Sequence, residues 1–132
     1  AIWNDHILVS RADISPLPSY FQAYHTSDLS PAYEITAVSE RSSQIEVAGD
    51  KAYVIVNGWG TVGKIAIIDL VGEQLEQEVD LGPEGLNPEA IYRQQGNLYT
   101  VNAIDWTVSS VSKYNIEETI GQKFPPIKQL QH

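Results

Sequence analysis

Two similar segments, 46 residues apart, limit the folds that this chain can adopt more than any other feature. The segments are Asp50–Asn57 and Gly96–Asn102, and each opens on a small turn residue, continues through an apolar run and ends on asparagine. Their tyrosines, Tyr53 and Tyr99, lie 46 residues apart. Internal similarity at a fixed period of about 20–50 residues indicates an architecture built from repeated units.

A second run follows each segment, and a third, weaker copy of the pattern lies at the start of the chain. In the second runs, Ile68 and Tyr114 are again 46 residues apart, and Tyr24 in the first copy lies 44 residues before Ile68. The first copy comprises Asp5–Ser10 and Tyr20–Thr26. A spacing of 44 to 46 residues falls in the range of about 40–50 residues that is typical of propeller blades.

The local composition indicates strands. The apolar runs are short, rich in Val, Ile, Tyr and Thr, and bounded by Gly, Pro, Asn, Asp and Ser. Ala52–Val56 and Ile65–Ile68 are almost continuously apolar, which is typical of strands covered on both faces. No substantial helix is predicted, because no long stretch has an apolar period of about 3.6 residues.

The sequence therefore predicts an all-β chain, a single domain over residues 1–132 with three four-stranded antiparallel blades at about 5–38, 43–81 and 88–123. In the second blade the predicted strands are Gln44–Ala48, Lys51–Asn57, Lys64–Leu70 and Leu75–Leu81. In the third blade they are Pro88–Arg93, Asn97–Asn102, Ser109–Ile116 and Glu117–Lys123. The segment Gly82–Pro88, with two prolines and two glycines, is predicted to connect these blades.

Three blades form an incomplete ring, because propellers close with about 4–8 blades. Two blade faces would stay bare, and large apolar patches rarely stay exposed. We therefore expect further blades, from the same or another chain, as partners. Phe124–Ile127 is predicted to lead into a fourth blade. A chain that starts at Ala1 without methionine is expected either to have lost its beginning or to be a piece of something longer. The alternative is a self-contained β-sandwich or barrel, which needs no partner.

Four segments resemble the YVTN-type β-propeller repeat: Tyr53–Asn57, Thr61–Asp69, Val79–Gly82 and Pro88–Ile91. The insert Asn57–Gly60 is similar to that of YVTN-like surface proteins of Gram-negative bacteria, some of which are outer-membrane lipoproteins that capture nutrients such as cobalamin. The resemblance covers about residues 44–120 and implies a periplasmic, cell-surface or secreted protein. The chain departs from the pattern at Gly63, where the family has a β-branched residue, and at Leu17 and Pro18.

Charge and composition exclude several classes of function. The chain has 8 Lys and Arg against 17 Asp and Glu, a net charge of −9, which suits neither nucleic acid nor an anionic membrane surface. No apolar run approaches the roughly 20 residues of a membrane-spanning helix, so no transmembrane segment is predicted. The absence of cysteine excludes disulfides, thiol catalysis and cysteine-based zinc sites.

Five residues are candidates for ligand binding: Asn57, Trp59, Asn102, Asp105 and Trp106. Trp59 and Trp106 lie in equivalent connections and could stack on a sugar, a corrin-like macrocycle or a partner side chain. Alternatively, each fills a gap between blades, and its replacement by alanine would then lower thermal stability more than ligand affinity. The asparagines could instead fix loops by bonding nearby backbone.

No catalytic residues, metal site or cofactor are predicted. The carboxylates of the repeats are spread along the chain rather than paired at a short spacing: Asp69, Asp80, Glu84 and Glu89. Four residues of the first copy could approach one another, but their spacing matches no metal motif: Asp5, His6, Asp13 and His25. Motifs for a nucleophile, a dinucleotide or a nucleoside triphosphate are absent from the sequence.

The first functional hypothesis is a non-catalytic module that binds a small molecule or a surface protein through its loops. The second is a subunit or fragment of a propeller enzyme, a lactonase, lyase or oxidoreductase with its site at the ring axis. This hypothesis requires acidic or histidine side chains on the inner strands. Those strands are mostly apolar, and their polar first residues are Lys51 and Asn97. The third is a scaffold used only for assembly.

Overall fold

A computed structural model of the chain describes residues 1–11, 20–39, 41–57, 62–105 and 107–116, and the backbone of 128–131. These residues form twelve strands. The first four are β1 (Ile2–Trp3), β2 (His6–Arg11), β3 (Tyr20–His25) and β4 (Pro31–Ile35). The next four are β5 (Ser42–Ala48), β6 (Lys51–Val56), β7 (Lys64–Asp69) and β8 (Gln74–Asp80). The last four are β9 (Pro88–Gln94), β10 (Asn97–Asn102), β11 (Ser110–Asn115) and β12 (Lys128–Gln131).

The strands form three four-stranded antiparallel sheets, each following the order of its strands along the chain. We call them sheet A (β1–β4), sheet B (β5–β8) and sheet C (β9–β12). Within the described ranges there is no helix, so none could cross a membrane, and no sheet closes on itself. The predicted all-β class with three antiparallel sheets is confirmed.

Sheets B and C share the register that the sequence spacing predicts. Lys51 is opposite Asp69 in sheet B, and Asn97 is opposite Asn115 in sheet C, 46 residues later at both positions. The amide of Leu70 donates a hydrogen bond to the Asp50 carbonyl at 3.0 Å, and the amide of Ile116 donates to Gly96 at 2.9 Å. Each bond extends the pairing of two central strands by one residue, β6 with β7 in sheet B and β10 with β11 in sheet C.

Sheet B lies between the other two, with an apolar core on each face. The core between sheets A and B is formed by Leu8, Phe21, Ala23, Ile35, Val38, Ala52, Val54, Val56, Ala66, Ile68 and Leu70. The core between sheets B and C is formed by Tyr53, Ile55, Ile65, Ile67, Val79, Leu81, Ile91, Leu98 and Tyr114. Successive residues of a strand point to opposite faces, so β6 and β7 supply both cores, which explains their unbroken apolar runs. A two-sheet sandwich would have one such core.

Two features of the edges differ from the predictions. Sheet A begins with the short strand β1, which was not predicted, and the Trp3 indole N–H donates to the Gly49 carbonyl of sheet B at 2.9 Å. The position beside β11 is occupied by β12, with Ser110 opposite Gln131, whereas the fourth strand was predicted at Glu117–Lys123, outside the described residues. Both segments are short and largely polar, so periodicity does not distinguish which one returns to pair with β11.

Candidate functional site

The connections that carry the predicted binding residues lie at one end of the sheets, which we call the loop end. Here β6 leads to β7, β10 leads to β11, and residues 81–87, the linker, join sheet B to sheet C. Asn57 directly follows β6, Asn102 ends β10, and Asp105 lies between β10 and β11. The topology thus brings these three predicted residues to the same end. Trp59 and Trp106 lie outside the described residues.

Hydrogen bonds from the end of sheet B hold both ends of the linker. The amide of Gly63 donates to the Gly85 carbonyl at 3.1 Å, and the amide of Leu81 donates to the Gly63 carbonyl at 2.8 Å. The half-buried Asn57 donates from Nδ2 to the Pro88 carbonyl at 3.3 Å, just beyond the linker. These bonds fix the linker against the loop that follows β6.

The linker passes close to the backbone of sheet B at Gly63. A Cβ atom at this position would overlap the Gly85 carbonyl oxygen and lie 2.5 Å from Cδ of Pro88. Contacts this short require the backbone to move, because neither neighbour is the end of a flexible side chain. The departure from a β-branched residue noted in the sequence is therefore explained by close backbone approach.

We expect Gly63→Ala to lower the free energy of unfolding by about 1–3 kcal/mol, the usual cost of overpacking. Gly49→Asn is the matched control, because Gly49 has a φ of 60° but nothing within 4 Å of a built Cβ. Asparagine tolerates that conformation, so this change should cost less than about 1 kcal/mol. Urea unfolding of both variants gives the comparison, and equal losses would contradict the close approach at Gly63.

Asn102 is the centre of a buried polar network that holds the linker to sheet C. Its Nδ2 donates to Ser110 Oγ at 3.0 Å and to Ser112 Oγ at 2.8 Å, and its Oδ1 accepts from Thr100 Oγ1 at 3.0 Å. Ser110 Oγ in turn donates to the Glu84 carbonyl of the linker at 2.6 Å. The four side chains of the network are at most 1% exposed. The observed contacts of Asn102 are thus internal.

Thr100, Ser110 and Ser112 were missed in the sequence, although a signal was present. The residues 46 positions before Thr100 and Ser112 are Val54 and Ala66, both in an apolar core. Alternate positions of β10 and β11 are thus polar where the equivalent strands of sheet B are apolar. A polar set on a buried sheet face is a signal for a hydrogen-bonded network.

The two predicted asparagines do not occupy equivalent positions. The amide of Asn57 donates to the Arg41 carbonyl at 3.1 Å, and 46 residues later the amide of Ala103 donates to the Asn87 carbonyl at 3.0 Å. Ala103 is therefore the counterpart of Asn57. Asn102 lies one residue earlier, on the buried face of sheet C.

Asp105 is an exposed carboxylate fixed by its own loop. Its Oδ1 accepts hydrogen bonds from the Thr107 amide at 2.6 Å, the Thr107 hydroxyl at 2.8 Å and the Val108 amide at 2.8 Å. The bonds from Thr107, backbone first, and then from Val108 lower the pKa of this carboxyl below its ordinary value. Asp105 therefore presents a fixed negative charge at the loop end at neutral pH.

The histidines of the first copy approach each other at the opposite end of sheet A. His6 and His25 are register partners with ring centroids 5.3 Å apart, and the Tyr33 ring lies edge-on to His6 at 5.9 Å. In the described part of the chain no group of three or more His, Asp or Glu side chains could hold a metal ion. Asp13 lies outside that part.

Comparison with known proteins finds no family model and no curated protein sequence that matches this chain. The resemblance to YVTN-type repeats therefore rests on the residues quoted above. The three antiparallel sheets are compatible with a propeller-like arrangement of blades.

Proposed function

We propose that this chain is a sector of a β-propeller that binds a ligand or a protein partner, without catalysis, through its loop end. The stacking of the sheets supports the architecture: sheet A packs on one face of sheet B, and sheet B packs on sheet C through its other face. Radial stacking of four-stranded sheets is what defines a propeller.

The main support for a binding role is that hydrogen bonds fix the linker and the neighbouring loops at the loop end. The linker is bonded to sheet B through Gly63 and to sheet C through Ser110. Asn87 Nδ2 adds a bond to the Ile104 carbonyl, at 3.3 Å, so the linker also holds the loop that carries Asp105. Loops positioned by a rigid scaffold are where binding residues concentrate, because little entropy is lost when a ligand binds.

The resemblance to YVTN-like surface proteins supports a bacterial cell-envelope setting, with nutrient capture as the role. It also supplies the first probe, cyanocobalamin. Neutral oligosaccharides are the second probe, because Trp59 lies in the sequence between β6 and β7, Trp106 lies between β10 and β11, and tryptophan rings stack on sugars and macrocycles.

Isothermal titration with each probe tests the proposal. We expect saturable binding by one probe, weakened about tenfold or more by Asp105→Asn, since bonds to charged groups contribute about 1.5–3 kcal/mol. The amide oxygen of asparagine can still accept the three hydrogen bonds from Thr107 and Val108. The variant therefore removes the charge and preserves the loop conformation. Asp28→Asn is the matched control, because Asp28 makes the same kind of bonds to Ser30 at the opposite end.

The same titration tests where the site lies and which class of ligand it takes. Binding that is insensitive to Asp105→Asn, Trp59→Ala and Trp106→Ala would move the site away from the loop end. No saturable heat with either probe would contradict nutrient capture of these two classes.

A further inference from the structure

Each sheet has two distinct faces, and the same register positions form the same face in every sheet. The forward face, directed to the next sheet, contains Leu8 and Ala23 in sheet A. Tyr53 and Ile67, at the same positions of sheet B, point into the core with sheet C. Leu8 is opposite Ala23, as Tyr53 is opposite Ile67, so the two internal interfaces use one arrangement.

The back face of sheet A, directed away from sheet B, is an open cleft of about 280 Å³. It is lined by Val9, Arg11, Tyr20, Gln22, Tyr24 and Glu34. Val9 is 41% exposed, whereas Val54, its register equivalent in sheet B, is fully buried against sheet A. The Arg11 guanidinium lies 4.7 Å from the centre of the Tyr20 ring. Tyrosine and arginine are enriched in protein–protein interfaces.

Glu34 occupies a register position that, in sheet B, bonds to the preceding sheet. Its register equivalent in sheet B is Glu78, whose Oε1 accepts hydrogen bonds from the Ser39 amide at 3.3 Å and the Ser39 hydroxyl at 2.9 Å. Ser39 lies just after the last strand of the preceding sheet. Glu34 is exposed, as expected for a back face with no sheet packed on it.

The forward face of sheet C is the matching surface. Tyr99 and Val111 are half-buried, Val101 is 39% exposed and Lys113 is exposed. Val101 is the register equivalent of Ile55, which is fully buried against sheet C. One chain thus carries both halves of the interface that it forms twice internally.

We propose that two copies of this chain associate head to tail, the forward face of sheet C of each copy packing on the back face of sheet A of the other. The basis is that this contact would use the same register positions as the two internal interfaces. The inference rests on the proposed propeller architecture. Three sheets from each copy give six, within the range of about 4–8 in which propellers close. A head-to-tail contact that closes after two copies forms a ring.

Sedimentation velocity over a dilution series from about 200 μM to about 1 μM, which brackets micromolar affinity, tests this inference. We expect a monomer–dimer equilibrium that Val9→Arg and Val101→Arg each weaken at least about tenfold, because each buries an unpaired charge. Val71→Arg is the control, since Val71 is 67% exposed in the turn after β7, away from both faces. Circular dichroism verifies that each variant retains its strands.

Mixing the two variants distinguishes this dimer from one in which like faces meet, sheet A on sheet A or sheet C on sheet C. In a mixed dimer, the unaltered sheet C of the Val9→Arg copy packs on the unaltered sheet A of the Val101→Arg copy. Because this interface is wild type on both sides, the mixture should dimerise more tightly than either variant alone. A monomer throughout the series, or no gain on mixing, would overturn the inference. A monomer that still binds a probe through Asp105 would overturn the proposed dimer and leave the proposed function unaffected. A dimer that binds neither probe would support the proposed dimer and count against the proposed function.

Discussion

Tyr53→Ala is expected to lower the free energy of unfolding by about 3–5 kcal/mol, the range for truncating a large buried aromatic side chain. Tyr53 is 4% exposed and lies in the core between sheets B and C. Tyr99→Ala is the matched control at the same register position of sheet C, where the half-buried ring should cost about 1 kcal/mol. Urea unfolding at a protein concentration at which sedimentation shows only the monomer gives both values. Similar losses would contradict the assignment of the two faces.

The same tyrosine predicts a loss of stability at alkaline pH. Burial, and then the nearby Glu76 charge, raise the pKa of Tyr53 from 10.0 to about 12. Between these values the unfolded chain loses a proton that the folded chain retains, so stability is complete below pH 10 and falls as the pH rises towards about 12. Tyr53→Phe removes this contribution, and its stability should fall less than that of the wild type over this range. Parallel falls for the two proteins would contradict burial of the phenol.

Asn102→Val is expected to lower the free energy of unfolding by about 3 kcal/mol. Valine cannot bond to Thr100, Ser110 or Ser112, and each buried polar group left without a partner costs about 1–3 kcal/mol, partly relieved by rearrangement. The change keeps the side-chain volume similar, so the loss reports hydrogen bonding rather than a cavity. Chemical unfolding measures it.

A triple variant distinguishes the network from simple packing. Thr100→Val, Asn102→Val and Ser112→Ala together reproduce Val54, Val56 and Ala66 of sheet B and leave the Ser110 bond to Glu84 in place. Replacing all partners of a buried network can be nearly neutral, so the triple variant should be within about 1 kcal/mol of the wild type. Additive losses in the triple variant would show that the hydrogen bonds are not the cause.

Much of the fold is readable from the sequence because burial imposes its own pattern. The run Ala52–Val56 is apolar at every position because β6 supplies a core on each face of sheet B. The tyrosine pair and the spacing of 46 residues locate the same strands in sheets B and C. Strands β6 and β7 were predicted to within one residue at their ends, and β10 with its observed bounds.

The contacts of the candidate site were harder to predict from the sequence, because they join residues that are distant in the chain. The bond from Ser110 to Glu84 spans 26 residues, and the bond from Asn57 to Pro88 spans 31. Periodicity reports which face a residue occupies and not which segment crosses that face. The close approach of Gly63 to Gly85 and the pairing of β12 with β11 depend on such crossings, and so the sequence did not predict them.

Sheets A, B and C stack in one order, with one core between A and B and a second between B and C. A nuclear Overhauser experiment on the chain with labelled Ile, Leu and Val methyl groups tests this order. We expect contacts between Leu8 and sheet B, contacts between Ile67 and sheet C, and none between Leu8 and Ile91. Direct contacts between Leu8 and Ile91 would place sheets A and C in a single core and contradict this order of stacking.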